Sequence, residues 1–134
     1  MKGKILMFHR VLPVARFGRI NAYKDRGTLI SLSFFESIIK KIVKSKKRVV
    51  TMVEYHKLQQ AKKATSAHVV LTFDDGYKDN YDYIIPILEK YNLKGTFYPT
   101  LKYCFEECSS PLDDYYSIGD QLKLNSEQRQ SWIL

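Results

Sequence analysis

Apolar residues along this chain follow two rhythms. Short unbroken runs (Ile5-Leu6-Met7-Phe8, Val49-Val50-Thr51, Val69-Val70-Leu71-Thr72-Phe73 and Thr96-Phe97-Tyr98) have the length and β-branched content of buried strands. Between them the period lengthens to that of a helix. Phe34, Phe35, Ile38, Ile39, Ile42 and Val43 recur at helical spacing, with Lys40, Lys41, Lys44 and Lys47 on the opposite face. Ser33 and Glu36 have the spacing of a capping box at its start. Residues 54–63 read as a second helix with Tyr55, Leu58 and Ala61 inward. Asp79 is suited to cap a third helix running to about Tyr91, with Asp82 in its first turn and Tyr83, Ile84, Ile87 and Leu88 inward. Pro86 lies inside that pattern and predicts a kink. Strands alternating with helices through short connectors predict an α/β fold with a parallel sheet and right-handed crossovers.

Two stretches break the rhythm. Residues 11–30 show no clean period, contain Pro13, Gly18 and Gly27, and read as a long loop. Beyond Leu101 the pattern is irregular, with a helix expected over 112–124 and another, capped by Asn125 and Gln128, through Trp132. At 134 residues the chain is expected to form one domain, residues 1–134, and to bury about two-thirds of its unfolded surface. No internal repeat or low-complexity tract is present.

Composition narrows the class. Hydrophobic residues at 45% and charged residues at 27% are those of a soluble globular protein. The net charge of +8 permits anionic partners. The lysines on the first helix read as a solvated face, because no stacking aromatics interleave them, and a nucleic-acid partner is not favoured. Cys104 and Cys108, four residues apart, suit neither a disulfide scaffold nor a zinc site and read as free thiols of a reducing compartment. The apolar run at the N-terminus is too short for a signal peptide or a membrane span, so a cytoplasmic protein without a membrane partner is expected.

Chemistry concentrates at Asp74-Asp75-Gly76, where the most apolar run stops. Two adjacent carboxylates cost several kcal/mol to bury unless a cation or hydrogen bonds offset them. Asp-Gly also forms turns, and a plain turn is the alternative reading. In a parallel sheet, however, ligands collect at the carboxyl ends of strands. Asp74 and Asp75 occupy such an end, as does His9 after the first strand. His68 begins its strand and lies on the order of 20 Å away at about 3.3 Å per residue, on the opposite rim. His56 falls on a surface helix. Neighbouring residues leaving a strand point in different directions, so one carboxylate can hold a metal while the other takes a proton from water. The Asp-x-Asp of haloacid-dehalogenase phosphatases is absent, since Gly76 stands two after Asp74.

Thr72-Phe73-Asp74-Asp75-Gly76 resembles the first motif of the polysaccharide deacetylases, the NodB-homology group of carbohydrate esterases. Ile5-Leu6-Met7-Phe8-His9-Arg10-Val11 is similar to that family's opening strand. Tyr77-Lys78-Asp79-Asn80-Tyr81, Pro86-Ile87-Leu88 and Gly95-Thr96-Phe97-Tyr98 are similar to its continuation, and the resemblance spans residues 4–100. It implies a deformed (β/α) barrel, here partial, and hydrolysis of an N- or O-acetyl group on an oligo- or polysaccharide. It implies Asp74 as general base, Asp75 as ligand of a divalent metal, usually zinc, and a pocket position for His9.

The chain departs from the family in its later motifs. No histidine follows His68, so the His-x-x-x-His ligands have no counterpart, and neither do the motifs that supply the general acid. Only the first half of a catalytic domain is resembled. The expectations are therefore little acetate release by this polypeptide alone, a complementing chain or self-association through open sheet edges, and, as an alternative, a non-catalytic remnant that binds sugar or protein.

Overall fold

The computed structural model describes residues 3–18, 24 and 27–100. In chain order these form β1 (Lys4–Phe8), β2 (Arg10–Leu12), β3 (Leu29–Ser31), α1 (Leu32–Lys44), β4 (Arg48–Val49), α2 (Met52–Gln60), β5 (His68–Asp75), α3 (Ile85–Lys90) and β6 (Thr96–Pro99). The expectations for residues 112–132 and for Cys104 and Cys108 lie outside the described residues. No helix among the described residues is long and apolar enough to cross a membrane.

β5 is the axis of the sheet. Its first six residues are all buried, as their unbroken apolar run requires. β1 pairs along one side, and β4 and β6 share the other, all parallel to β5. Paired residues of neighbouring strands project to the same face. One face thus carries Phe8, Phe73 and Phe97, stacked with ring centroids 5.5 and 4.7 Å apart. Phe35 of α1 meets this row edge-on, 5.2 Å from Phe8 and 6.0 Å from Phe73. Each such pair adds about 0.5–1.5 kcal/mol beyond the area it buries. Ile39, Ile42, Ile84 and Leu88 complete the core on this side. Gly95 is required by closeness, since a β-carbon there would come within 2.8 Å of the Phe73 ring.

The parallel α/β architecture matches the sequence pattern, and several local readings change. Residues 11–30 are not loop throughout. β2 and β3 pair in parallel, Val11 opposite Ile30, and bury Val11, Leu12 and Leu29. These runs of three residues are too short to stand out by period. The cap of α1 is Ser31, whose Oγ accepts from the Phe34 amide at 3.2 Å; Ser33 lies inside the first turn. Glu36 does not return to a cap. It accepts from Lys90 at 2.8 Å and from the Tyr91 hydroxyl at 3.1 Å, joining α1 to the chain around the end of α3. Phe34 and Val43 are exposed, so the buried stripe of α1 is narrower than its apolar spacing. The capping box belongs to α2: Thr51 Oγ1 accepts from the Glu54 amide and Glu54 Oε2 from the Thr51 amide. Thr51 therefore ends the connector rather than continuing a strand, and Ala61 lies exposed beyond the helix.

Asp79 is not a cap. Its φ of −62° is helical and its side chain makes no cap hydrogen bond. The kink expected at Pro86 takes the form of a π-helical turn, Asn80–Ile84, leading into α3. A prolyl ring clashes with the carbonyl four residues earlier, here residue 82, and the widened turn contains that carbonyl.

Candidate active site

The candidate site is built where β5 ends. Asp74 and Asp75 are its last two residues, and both are half-buried. Asp75 and Gly76 have φ of 72° and 70°, so two successive left-handed residues turn the chain sharply off the strand. Asp tolerates this conformation through its short polar side chain, and Gly has no β-carbon to obstruct it. The turn is tied down on both sides. Asn80 Nδ2 donates to the Asp74 carbonyl and the Thr100 amide to the Asp75 carbonyl, each at 3.4 Å, while the Asn80 amide donates to the Tyr77 carbonyl at 2.9 Å.

Register sets which residues meet on the open face. Met7 pairs with Thr72 and Tyr98 with Asp74, so Met7, Asp74 and Tyr98 share the face opposite the phenylalanine row. Carried one residue past Phe8, the β1 register brings His9 level with Asp74. Asp74 and Tyr98 form a row across β5 and β6, and His9 follows the last residue of β1 at the same edge of the sheet. Tyr98 is 47% exposed and Met7 63%, giving the carboxylate an aromatic and a thioether neighbour open to solvent.

Beneath this row lies a buried ionic support. Arg10 Nη2 donates to Asp79 Oδ1 at 2.8 Å and Arg10 Nε to the same oxygen at 3.3 Å, while the Val11 amide donates to Asp79 Oδ2 at 3.0 Å. Both residues are inaccessible to water. Burial pushes the Asp79 carboxyl above the usual carboxylate range, and Arg10 opposes that shift. The Arg10 guanidinium carbon lies 4.1 Å from the centre of the Tyr77 ring, a cation–π contact. Tyr77 in turn hydrogen-bonds the Asp75 side chain. Arg10, Tyr77 and Asp79 thus connect β2 and the helix after the turn to Asp75.

Asp75 itself is held above the ordinary carboxylate range, first by burial and also by the neighbouring Asp74 charge. His9, the Tyr77 hydrogen bond and Arg10 pull the other way. His9 therefore lies within electrostatic reach of Asp75, and the structure brings together the three residues singled out in the sequence. His68 lies at the other end of β5, 5% exposed, its Nδ1 accepting from the Thr65 amide at 3.1 Å. His56 is on the surface. Sequence reasoning missed the Arg10–Asp79 pair, whose members are 69 positions apart, and the exposed Tyr98. The alternation of Thr96-Phe97-Tyr98 against Thr72-Phe73-Asp74 was the available signal for the latter.

Among the described residues no group of three or more His, Cys, Asp and Glu side chains is arranged to hold a metal ion. With Asp74 reserved as a base, Asp75 and at most His9 remain, short of the three protein ligands that a zinc centre normally takes. A cavity of about 570 Å³ lies elsewhere, lined by Val14, Phe17, Leu29, Ile30 and Phe34 among others, and shares no residue with the carboxylate turn.

The polysaccharide deacetylase family model matches residues 61–126. The Bacillus subtilis protein YxkH, named as a polysaccharide deacetylase, is 49% identical over 41 residues, 31% of this chain and 15% of its own length. In overall shape the chain is similar to the Streptococcus pyogenes deacetylase PplD, with a TM-score of 0.69 and 19% identity, over 98% of this chain and 51% of PplD. It is also similar to IcaB from Ammonifex degensii (TM-score 0.63, 24% identity, 81% of this chain and 43% of that one). The de-N-acetylase from Aggregatibacter actinomycetemcomitans gives a TM-score of 0.60 at 24% identity, over 77% and 39% of the respective chains. The chain thus spans about half or less of the length of these relatives. At these identities the solved structures show the fold alone, a parallel α/β barrel-like arrangement.

Proposed function

Because the chain belongs to the polysaccharide deacetylase family, through residues 61–126, we propose that it acts on acetylated carbohydrate, taking part in hydrolysis of an N- or O-acetyl group. The observation that carries this reading is the Asp74-Asp75 turn at the carboxyl end of the central parallel strand, with His9 in electrostatic reach. Asp74, on the open face, is the general base that takes a proton from the attacking water. The oxygen of that water adds to the acetyl carbonyl; the bond to the sugar nitrogen or oxygen then breaks as the proton held on Asp74 passes to that atom, releasing acetate and the free amine or hydroxyl. Tyr98, paired with Asp74, offers an aromatic face to a sugar ring, with Met7 further along the same face of the sheet. His9 lines the pocket.

Asp75 matches the family's metal-binding position, and zinc supplies Lewis-acid activation of water and carbonyl in such hydrolysis. The described residues do not complete a metal centre, so Asp75 is one ligand of a set that needs others. Tyr77 and Arg10 fix the orientation of its carboxylate. Acetate release from acetylated chitooligosaccharides with added zinc or cobalt is accordingly expected to be low for this chain. Whatever release occurs is expected to vanish in Asp74→Asn; release that survives this substitution would contradict the assignment.

A further inference from the structure

Three helices of this chain end in the same way. After α1, Lys46 is left-handed at φ 52°, its amide donates to Val43 at 3.0 Å, and the Lys47 amide reaches back to Ile42 at 3.3 Å. After α2, Lys62 is left-handed at φ 56°, its amide donates to Gln59 at 3.0 Å, and the Lys63 amide reaches Leu58 at 2.8 Å. After α3, Asn92 is left-handed at φ 50°, with matching bonds to Glu89 at 3.0 Å and from Leu93 to Leu88 at 2.9 Å. Glycine, then asparagine, suits the left-handed position of this motif, and an apolar residue commonly follows it. The third helix obeys with Asn92-Leu93. The first two place Lys46-Lys47 and Lys62-Lys63 there instead, against the conformational preference and twice over.

The turn after α1 is bonded to the connector that follows the turn after α2. Lys47 Nζ donates to the Ser66 carbonyl at 2.9 Å, and the Arg48 amide to Ala67 at 2.9 Å, next to the Arg48–His68 pairing that opens β4 and β5. Lys46, Lys47, Arg48, Lys62 and Lys63 are all exposed at the amino end of the sheet, and Lys4 at the start of β1 joins them. The helix dipole accounts for Lys41, Lys44 and Lys57 in the last helical turns but not for cations beyond the helix ends. Among the described residues no ion pair joins these rim cations to a carboxylate. Glu36 and Glu54 stand near the opposite ends of the same helices, already paired with Lys90 and Lys94.

We propose that this basic rim is a docking surface for an anionic polysaccharide, one bearing uronate or phosphate groups. Its positive charge is the complement of such a chain. The choice of a glycan rests on the carbohydrate reading above. It is favoured over single-stranded nucleic acid because, among the described residues, no exposed aromatic side chain stands with the lysines to stack on bases. It is favoured over a membrane surface because, among the described residues, Val43 and Ile5 are the exposed large apolar side chains near these cations, far short of an anchoring face.

The test is binding of fluorescently labelled polygalacturonate to this chain over a salt series, with neutral dextran and duplex DNA as the other arms. Binding that weakens with salt, together with absent dextran binding, is expected. Lys46→Gly/Lys62→Gly, which removes two charges while easing two strained backbones, is expected to bind roughly tenfold more weakly with a shallower salt slope, yet to melt no lower than the parent. Asp74→Asn is expected to bind polygalacturonate as the parent does, so failure of the hydrolytic reading leaves this result distinguishable. No polygalacturonate binding, or unchanged binding in the double glycine variant, would overturn the docking surface. Tighter binding to duplex DNA at equal salt would overturn the choice of polysaccharide.

Discussion

At the carboxyl end of β5, Arg10 and Asp79 share a 2.8 Å ion pair sealed from water, whereas at its amino end Lys46, Lys47, Lys62 and Lys63 stand in solvent. The first arrangement spends burial on geometry. A charge can be kept dry only if its partner and hydrogen bonds are fixed, and Arg10, so fixed, sets the place of Tyr77 and through it Asp75. The second, beyond the single bond from Lys47 to the Ser66 carbonyl, leaves its charge available over a broad surface. One end of the sheet is organised to orient a few atoms and the other to attract a large anionic partner.

Breaking the buried pair is the strongest way to test this contrast. Arg10→Met leaves Asp79 buried without its cation, and about 3–5 kcal/mol of stability is expected to be lost, as read from urea unfolding. Arg10→Met/Asp79→Leu, which removes both charges, should recover most of that loss. A cost for the single variant as small as that of a surface ion pair would remove the distinction between the two ends. At the basic rim the sign reverses. Lys46→Gly and Lys62→Gly are each expected to stabilise the fold, by about 0.5–1 kcal/mol, because glycine adopts positive φ without a clashing β-carbon.

A third effect depends on pH. Asp75 is held above the ordinary carboxylate range by burial and by Asp74, so ionising it opposes folding. A raised carboxyl pKa gives stability that is present below the unfolded-state value of 3.8 and is lost as pH rises through the folded-state value. Asp75→Asn should therefore match the parent in thermal stability at acid pH and exceed it at neutral pH. A variant less stable than the parent at neutral pH would show that the carboxylate is better compensated than its surroundings indicate.

What could be read in the sequence divides by range. β1 and β5 were legible because runs such as Val69-Val70-Leu71 leave little choice but a doubly buried strand, and strand polarity alone brought His9 to the rim of Asp74 and Asp75. Short-range capping was legible in kind but not in place. Ser33-Glu36 has capping-box spacing, yet Thr51-Glu54 forms the box, because β3 runs into α1 through Ser31 and leaves Ser33 inside the helix. Asp79 had the composition of a cap and became the partner of Arg10, a contact that no local pattern encodes across 69 positions. The pairing of β2 with β3 escaped notice for a related reason, since runs of three residues gain their strand character only from each other. Of the rim cations only Lys47 was legible, as part of a solvated helix face; that two helix-ending turns carry Lys46, Lys47, Lys62 and Lys63 at one end of the sheet became visible only in the fold.

The most direct test of the proposed activity is backbone amide NMR of this chain titrated with an acetylated chitooligosaccharide, a neutral sugar that the basic rim has no charge to attract. Shifts are expected at His9, Asp74, Asp75 and Tyr98, weakened in Asp74→Asn, with Lys46 and Lys62 unmoved. Shifts confined to the lysine turns, or none at the carboxylate rim, would contradict the assignment of that rim to acetylated carbohydrate.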